Sequence, residues 1–363
     1  MNNNKDLPIL PTGRGTGLTP GNRFTGRELQ IDAEYLEYDE AAQRALHRPR
    51  TRYFEDSSQS VISENDSPDI PFRYSLNPYR GCLHGCSYCY ARPTHEFLGL
   101  NAGLDFETTI FVKQNAATLF RTWLCRAKYE PDRVMLSGVT DCYQPVERAL
   151  RITRQCLQVA QEASQAVSII TKNKLITRDI DILSELATRG LCSVAMSINS
   201  LDQALTKLME PGCSAPLSRL DAIRQLAEAG IPVHVMVAPV IPGLNDHEIP
   251  AVLAQVAEAG AQSASYIMLR LPLAVEEIFT DWLTNRRPDK LDVVLSRLRS
   301  VRNGQLNSAK FGERMSGSGP MADQIKQLFE VTAKRHGLRN RLQQLRTDLF
   351  TPPKSPDGQL RLF

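Results

Sequence analysis

The chain has 363 residues, 42% of them hydrophobic and 23% charged, so it can bury a sizeable core and is not a disordered polymer. Its net charge of +3 is unevenly spread: residues 286–363 carry 16 Lys/Arg against 7 Asp/Glu, a net of +9 on a mildly acidic body. The first residues, Met1-Asn2-Asn3-Asn4-Lys5-Asp6, are polar, and no apolar run is long enough to cross a bilayer, so no membrane is expected and the cytoplasm is.

Residues 1–68 read as an extended or poorly ordered arm, Gly/Pro/Thr-rich over 11–20 and Ser-rich near its end. Gly13-Arg14-Gly15-Thr16-Gly17 lacks the preceding strand and following helix that a phosphate loop needs, and is read as part of that arm. From 69 to 275 apolar runs alternate with helical periods. Strands are expected at 134–136, 167–170, 194–198 and 233–237 and around 267–269. Helices are expected at 152–163, 217–229 and 249–259 and near 179–189. Leu217, Leu220, Ile223 and Leu226 share one helical face, as do Ile249, Val252, Leu253, Val256 and Ala257. Gly190, Gly230 and Gly260 stand where a left-handed residue closes each helix. Continuous apolar strands alternating with helices predict an α/β fold with a parallel sheet and a site at the carboxyl ends of its strands. Residues 276–350 turn basic and helix-prone around a glycine-rich loop at 311–320 to which no chemistry is assigned. That basic region is either a footprint for a polyanion such as DNA or a solvated helical face. Residues 351–363 read as a flexible leader ending in an apolar peptide.

The strongest chemical signal is Cys82-Leu83-His84-Gly85-Cys86-Ser87-Tyr88-Cys89. Eight cysteines in a reducing compartment point to metal or redox chemistry rather than disulfides. Thiolates hold iron–sulfur clusters, and three of them within eight residues can take three corners of a cubane, leaving one iron open. The alternative is a zinc site completed by His84 or His95, although paired Cys-x-x-Cys or His motifs are absent.

This Cys-x3-Cys-x2-Cys spacing, with aromatic Tyr88 before the third cysteine, resembles the signature of the radical S-adenosylmethionine superfamily. Asn77-Pro78-Tyr79-Arg80-Gly81-Cys82 and Cys89-Tyr90-Ala91-Arg92 resemble its spore photoproduct lyase-like branch. The resemblance implies a partial (β/α)6 TIM-like barrel, a [4Fe-4S] cluster on Cys82, Cys86 and Cys89, S-adenosyl-L-methionine as cofactor, and an external reducing electron donor. Reductive cleavage of that cofactor would release a 5′-deoxyadenosyl radical. Tyr88, Asp141, Lys172, Ser197, Asn199, Ile241 and Arg270 are the cofactor-binding candidates. Asp141 would accept the cofactor's ammonium, Lys172 would meet its carboxylate, and Ser197 and Asn199 its hydroxyls or methionine end. Ile241 and Gly243 match an adenine-binding strand in which Asp246 replaces Glu. Each has a plainer reading: Asp141 as a helix cap, Ser197 and Asn199 as turn residues, Lys172 as a solvated side chain. The lyase branch uses a cysteine as hydrogen-atom donor where Gly138 stands here. Cys142 is then the nearest candidate donor, or an inert buried thiol, and Tyr90 a candidate relay or a packing residue.

The tail Gln359-Leu360-Arg361-Leu362-Phe363 resembles the peptide by which bacterial replication and repair proteins dock on the DNA sliding clamp, with Gln359, Leu360, Leu362 and Phe363 as anchors. The leading expectation is therefore a radical enzyme acting on damaged or modified DNA. The alternatives are an enzyme that modifies a peptide, tRNA or metabolite, and a non-catalytic clamp-associated iron–sulfur protein.

Overall fold

Six apolar runs of three to eight residues become the parallel strands of one sheet. The computed structural model describes residues 11–26 and 39–354. The six are β3 (Tyr74–Leu76), β6 (Val134–Leu136), β7 (Val167–Thr171), β8 (Cys192–Ser197), β9 (Val233–Val240) and β10 (Ser263–Met268). They pair in sequential order from β3 to β10, each parallel to the next. Strand β2 (Ile62–Glu64) adds antiparallel to β3 at the far edge, so the sheet is an open, partial barrel. A second, three-stranded sheet joins β1 (Arg52–Glu55), β5 (Thr109–Val112) and β4 (Tyr79–Arg80).

Helices return the chain between the parallel strands. Between β6 and β7 lie α4 (Glu147–Leu150) and α5 (Ile152–Glu162); α6 (Ile180–Thr188) follows β7, α7 (Gln203–Met209) and α8 (Pro216–Glu228) follow β8, and α9 (Ile249–Glu258) follows β9. Earlier in the chain come α1 (Glu40–His47), α2 (Leu104–Thr108) and α3 (Ala116–Leu124). Gly190, Gly230 and Gly260 close three of the crossover helices with φ of +71°, +75° and +99°, in the expected left-handed conformation. The main core lies between sheet and helices, with Leu136, Ile169, Val194, Val235 and Leu253 fully buried. A separate cluster packs α10 (Ala274–Arg286) and α11 (Leu291–Ser300) near the strand ends through Phe279, Trp282, Leu283 and Leu298, and takes in Cys86, Tyr88 and Ile241. α12 (Pro320–Arg335) then packs on α9.

Two expectations need refinement. The last strand starts at Ser263, earlier than its apolar run suggests, because Ser263 and Ser265 are taken up by hydrogen bonds of 2.7 Å to the two ring nitrogens of His234 on β9. The described part of the amino-terminal arm is extended but well packed. Thr16 and Asn22 are buried, Asn22 donates to the carbonyls of Glu96 and Leu100, and β1 and β2 join the two sheets. Gly15 owes its identity to this packing, since a Cβ there would sit 1.6 Å from the Gly85 carbonyl oxygen. None of the helices described is long and apolar enough to cross a membrane.

Candidate active site at the strand ends

The three cysteines sit on the loop that leaves β4. Gly81 (φ +77°) and Gly85 (φ +61°) bend it, and a Cβ at either would come within 2.8 Å of the Thr109 carbonyl or 2.6 Å of the Glu107 carboxylate. Backbone bonds from Cys82 N to Phe106 O (2.9 Å) and from Ser87 N to Met209 O (3.0 Å) tie the loop to its neighbours. Behind it lies Arg92, fully buried, which donates to the carbonyls of Cys86 and Gly103 (2.9 Å each) and pairs with the buried Glu107. Glu107 also accepts from Gly15 N at 2.9 Å, so one ion pair connects the arm to the cysteine loop. Burial pushes the Glu107 carboxyl up in pKa against the pull of Arg92.

These donors fit an iron–sulfur cluster better than zinc. Cys82 and Cys86 are buried and Cys89 half-buried, all as free thiols. Among the described residues no three His, Cys, Asp or Glu side chains converge to hold a single ion. A cubane needs no such convergence, because each thiolate binds a different iron. Both histidines are already engaged by protein partners. His84 pairs with Asp141 through Nδ1 (3.3 Å) and faces Asn173 through Nε2 (3.2 Å). His95 is bonded to the Thr109 carbonyl (2.9 Å) and packs edge-on against Phe106 and Phe111. Burial would lower the His84 pKa, but the charges of Asp141 and Cys82 outweigh it and raise it to about 10.

Asp141, just past β6, is held by protein donors at the strand ends. Its carboxylate accepts from Tyr143 N (2.8 Å), the Thr171 hydroxyl (2.9 Å), Lys172 N (2.9 Å) and His84. A carboxylate offers about four lone-pair sites, which these donors share. Through His84 the Asp141 carboxylate is tied to the cysteine loop. Lys172, after β7, has its ammonium 6.0 Å from the Tyr88 ring centroid. Burial works against its charge, but Cys86 and Glu210 prevail and raise its pKa. Ser197, the last residue of β8, is buried, and its carbonyl accepts from Arg219. Asn199 is buried with both amide atoms unpartnered among the described residues, an orphan a bound ligand would satisfy. Ile241 is fully buried in the apolar cluster that holds Tyr88, and Asp246 is spent on the Gly243 turn through a 2.8 Å bond. Arg270, after β10, places its guanidinium 5.7 Å from the Tyr90 ring centroid.

The two candidate hydrogen donors differ in exposure. The Tyr90 ring is half-exposed, and its hydroxyl donates to the Gly138 carbonyl at 2.8 Å, at the position where the resemblance lacks a cysteine. Cys142 is fully buried in the main core beside Tyr143 and Leu136, and burial pushes its thiol up. Sequence reasoning missed Glu210, Arg219 and Cys213. The buried Glu210 carboxylate accepts from the Tyr88 hydroxyl and pairs with the buried Arg219, and Cys213 Sγ lies 3.8 Å from Cys86 Sγ. The one available signal was Glu210-Pro211-Gly212-Cys213, a turn sequence bearing an acid and a thiol between two helical periods. Residues Gln359, Leu360, Leu362 and Phe363 lie outside the described residues.

The model of the radical SAM superfamily matches residues 76–256. An uncharacterized protein of Mycobacterium tuberculosis is 37% identical over 234 residues, covering 64% of this chain and 68% of the relative. A protein of Pseudomonas phage M6 named radical SAM Nalpha-GlyT isomerase is 24% identical over 203 residues, 55% of this chain and 40% of that one. Among solved structures, spore photoproduct lyase complexed with dinucleoside spore photoproduct has a similar fold, with a TM-score of 0.56 at 16% identity over 79% of this chain and 80% of that one.

Proposed function

This chain belongs to the radical SAM superfamily, and from that premise we propose that it holds a four-iron, four-sulfur cluster on Cys82, Cys86 and Cys89 and acts on damaged or modified nucleic acid. The observation that carries the reading is the glycine-bent loop of three thiols at the carboxyl ends of the parallel strands, facing Lys172 and Tyr90. When bound, the cluster and S-adenosylmethionine would supply a reductively generated 5′-deoxyadenosyl radical that takes hydrogen from substrate.

The chain's own residues bind and orient. Lys172 is the cation for the cofactor carboxylate, the unpartnered Asn199 amide offers a donor and an acceptor, and Tyr88 with Ile241 presents an apolar face for adenine. The Glu210–Arg219 pair fixes the Tyr88 hydroxyl, and Asp141 fixes His84. Tyr90 can return a hydrogen atom to a substrate radical, and a Tyr90→Phe variant is expected to keep cleaving cofactor while product formation falls at least tenfold. Quantifying 5′-deoxyadenosine and substrate-derived product in the same reaction checks this, and an unchanged ratio would remove Tyr90 from the relay.

A nucleic-acid substrate is supported by the basic carboxyl-terminal quarter and by the dinucleoside named in the complex of similar fold. The test is mass spectrometry of nucleosides after incubating reconstituted protein, reductant and cofactor with ultraviolet-irradiated and intact DNA. A damaged or modified nucleoside should be consumed. Unchanged nucleosides, with a peptide substrate consumed in their place, would overturn the reading. The peptide Gln359-Leu360-Arg361-Leu362-Phe363 supports recruitment by a sliding clamp. Phe363→Ala should weaken clamp capture at least tenfold in a pull-down, and undiminished capture would discredit the tail as a docking peptide.

A further inference from the structure

Three arginines meet beside the last strand, and one carboxylate answers them. Arg314 takes that carboxylate: it donates to Asp69 Oδ2 at 2.6 Å and to the Ser67 hydroxyl at 2.6 Å. Arg302 is buried and donates only to carbonyls, those of Leu269 (2.7 Å) and Glu313 (2.9 Å), with its Nε unpartnered among the described residues. Arg270 likewise has a buried, unpartnered Nε, and its one hydrogen-bonding contact among the described residues is a weak 3.7 Å approach to Met315 Sδ. The nearby Glu313 carboxylate is already paired with Lys310. Burial lowers the pKa of both unanswered guanidiniums, and the proximity of Arg270 helps bring Arg302 down to about 10.

Arg302 is buried and Arg270 half-buried, neither has a carboxylate bonded to it among the described residues, and an anion beside them would offset the cost of holding two like charges together. We infer that Arg270, with Phe311 on the loop beside it, forms a phosphate-and-base subsite for a nucleic-acid substrate. This rests on the nucleic-acid reading above and names the residues that would recognise that substrate. Arg270 stands after β10 against Tyr90, the residue proposed above to give hydrogen to substrate, whereas Lys172 is the cation beside the Cys86 thiol. The loop carrying Phe311 is anchored to β10 by the Met268 N to Met315 O bond of 2.8 Å. Phe311 is 55% exposed, and the Arg314 guanidinium lies 4.6 Å from its ring centroid. An exposed aromatic ring beside the Arg314 guanidinium, on the loop whose Met315 approaches Arg270, suits a stacked base and its phosphodiester, and this favours nucleic acid over an acidic peptide. It also gives the glycine-rich loop a use.

Fluorescence anisotropy with labelled single-stranded DNA and RNA of one sequence tests the subsite on the intact protein, with the fold of each variant checked by circular dichroism. Arg270→Gln should weaken binding roughly tenfold and reduce the salt slope by about one, while S-adenosylmethionine affinity by equilibrium dialysis stays as in wild type. Arg270→Lys should restore the slope and part of the affinity. Phe311→Ala should weaken binding roughly tenfold at unchanged slope. The two labels show whether the phosphodiester belongs to DNA or RNA. Wild-type affinity and slope in Arg270→Gln would overturn the subsite. So would loss of cofactor binding with oligonucleotide binding intact, which would assign Arg270 to the cofactor carboxylate. Displacement of the oligonucleotide by polyglutamate at matched charge would make it an acidic-peptide site. If the wild-type protein binds neither label, the nucleic-acid reading itself fails.

Discussion

An Arg92→Leu variant is expected to lose about 3–5 kcal/mol of stability, the cost of leaving one member of a buried ion pair uncompensated. Both side chains are completely inaccessible, so solvent screening does not reduce the effect. Without Arg92 the Glu107 carboxyl, whose pKa burial already raises, would lose the cation that offsets its burial. The carbonyls of Cys86 and Gly103 would lose their donor as well, which loosens the loop that carries the three thiols. A double variant, Arg92→Leu with Glu107→Leu, should recover much of the loss, because it removes the stranded charge along with its partner. A deficit of about 1–3 kcal/mol should remain from the unsatisfied carbonyls. Urea unfolding of the two variants and wild type decides it. A double variant no more stable than the single one would show that the stranded Glu107 charge is not what destabilises Arg92→Leu.

Cys86→Ala is expected to abolish the cluster altogether. The thiolate cannot be replaced by the main chain, and two remaining cysteines leave two corners of a cubane without protein ligands. Anaerobically reconstituted wild-type protein should absorb near roughly 400 nm, where thiolate-bound iron clusters have charge-transfer bands, and the variant should not. Cys213, 3.8 Å from Cys86, is the nearest thiol that could substitute. A cluster that persists in Cys86→Ala and disappears only when Cys213 is also replaced would move the third ligand from Cys86 to Cys213.

Parallel strands were legible because both faces are covered, so apolar runs such as Val134-Met135-Leu136 stand out without alternation. β3 and β4, three and two residues long, are too short to show a period, and β10 hid its start behind two serines bonded to His234. The α10 helix falls largely within the segment read as helix-prone, but its buried face of Val275, Ile278, Phe279, Trp282 and Leu283 was not resolved, and its own charge is acidic, with Glu276, Glu277 and Asp281 against Arg286. At the site, the cysteines were legible because their ligand role lies in local spacing. The partners of Asp141 were not legible, because its carboxylate meets Thr171, Lys172 and His84, which are distant in sequence. Its neighbour Cys142 falls in the main core, and no pattern in the sequence announces that. Glu210 and Arg219 are joined only by the fold, which buries them together against Tyr88. The basic carboxyl-terminal charge was read as surface, yet Arg302 is internal and Arg314 is committed to Asp69.

The measurement closest to the central claim is anaerobic reconstitution with iron and sulfide, reduction with dithionite, addition of S-adenosylmethionine, and quantification of 5′-deoxyadenosine. Formation of 5′-deoxyadenosine by the wild-type protein and its absence in Cys86→Ala is the expected result. Stoichiometric zinc in place of iron, or an intact cluster that never yields 5′-deoxyadenosine with any nucleic-acid substrate present, would contradict the account.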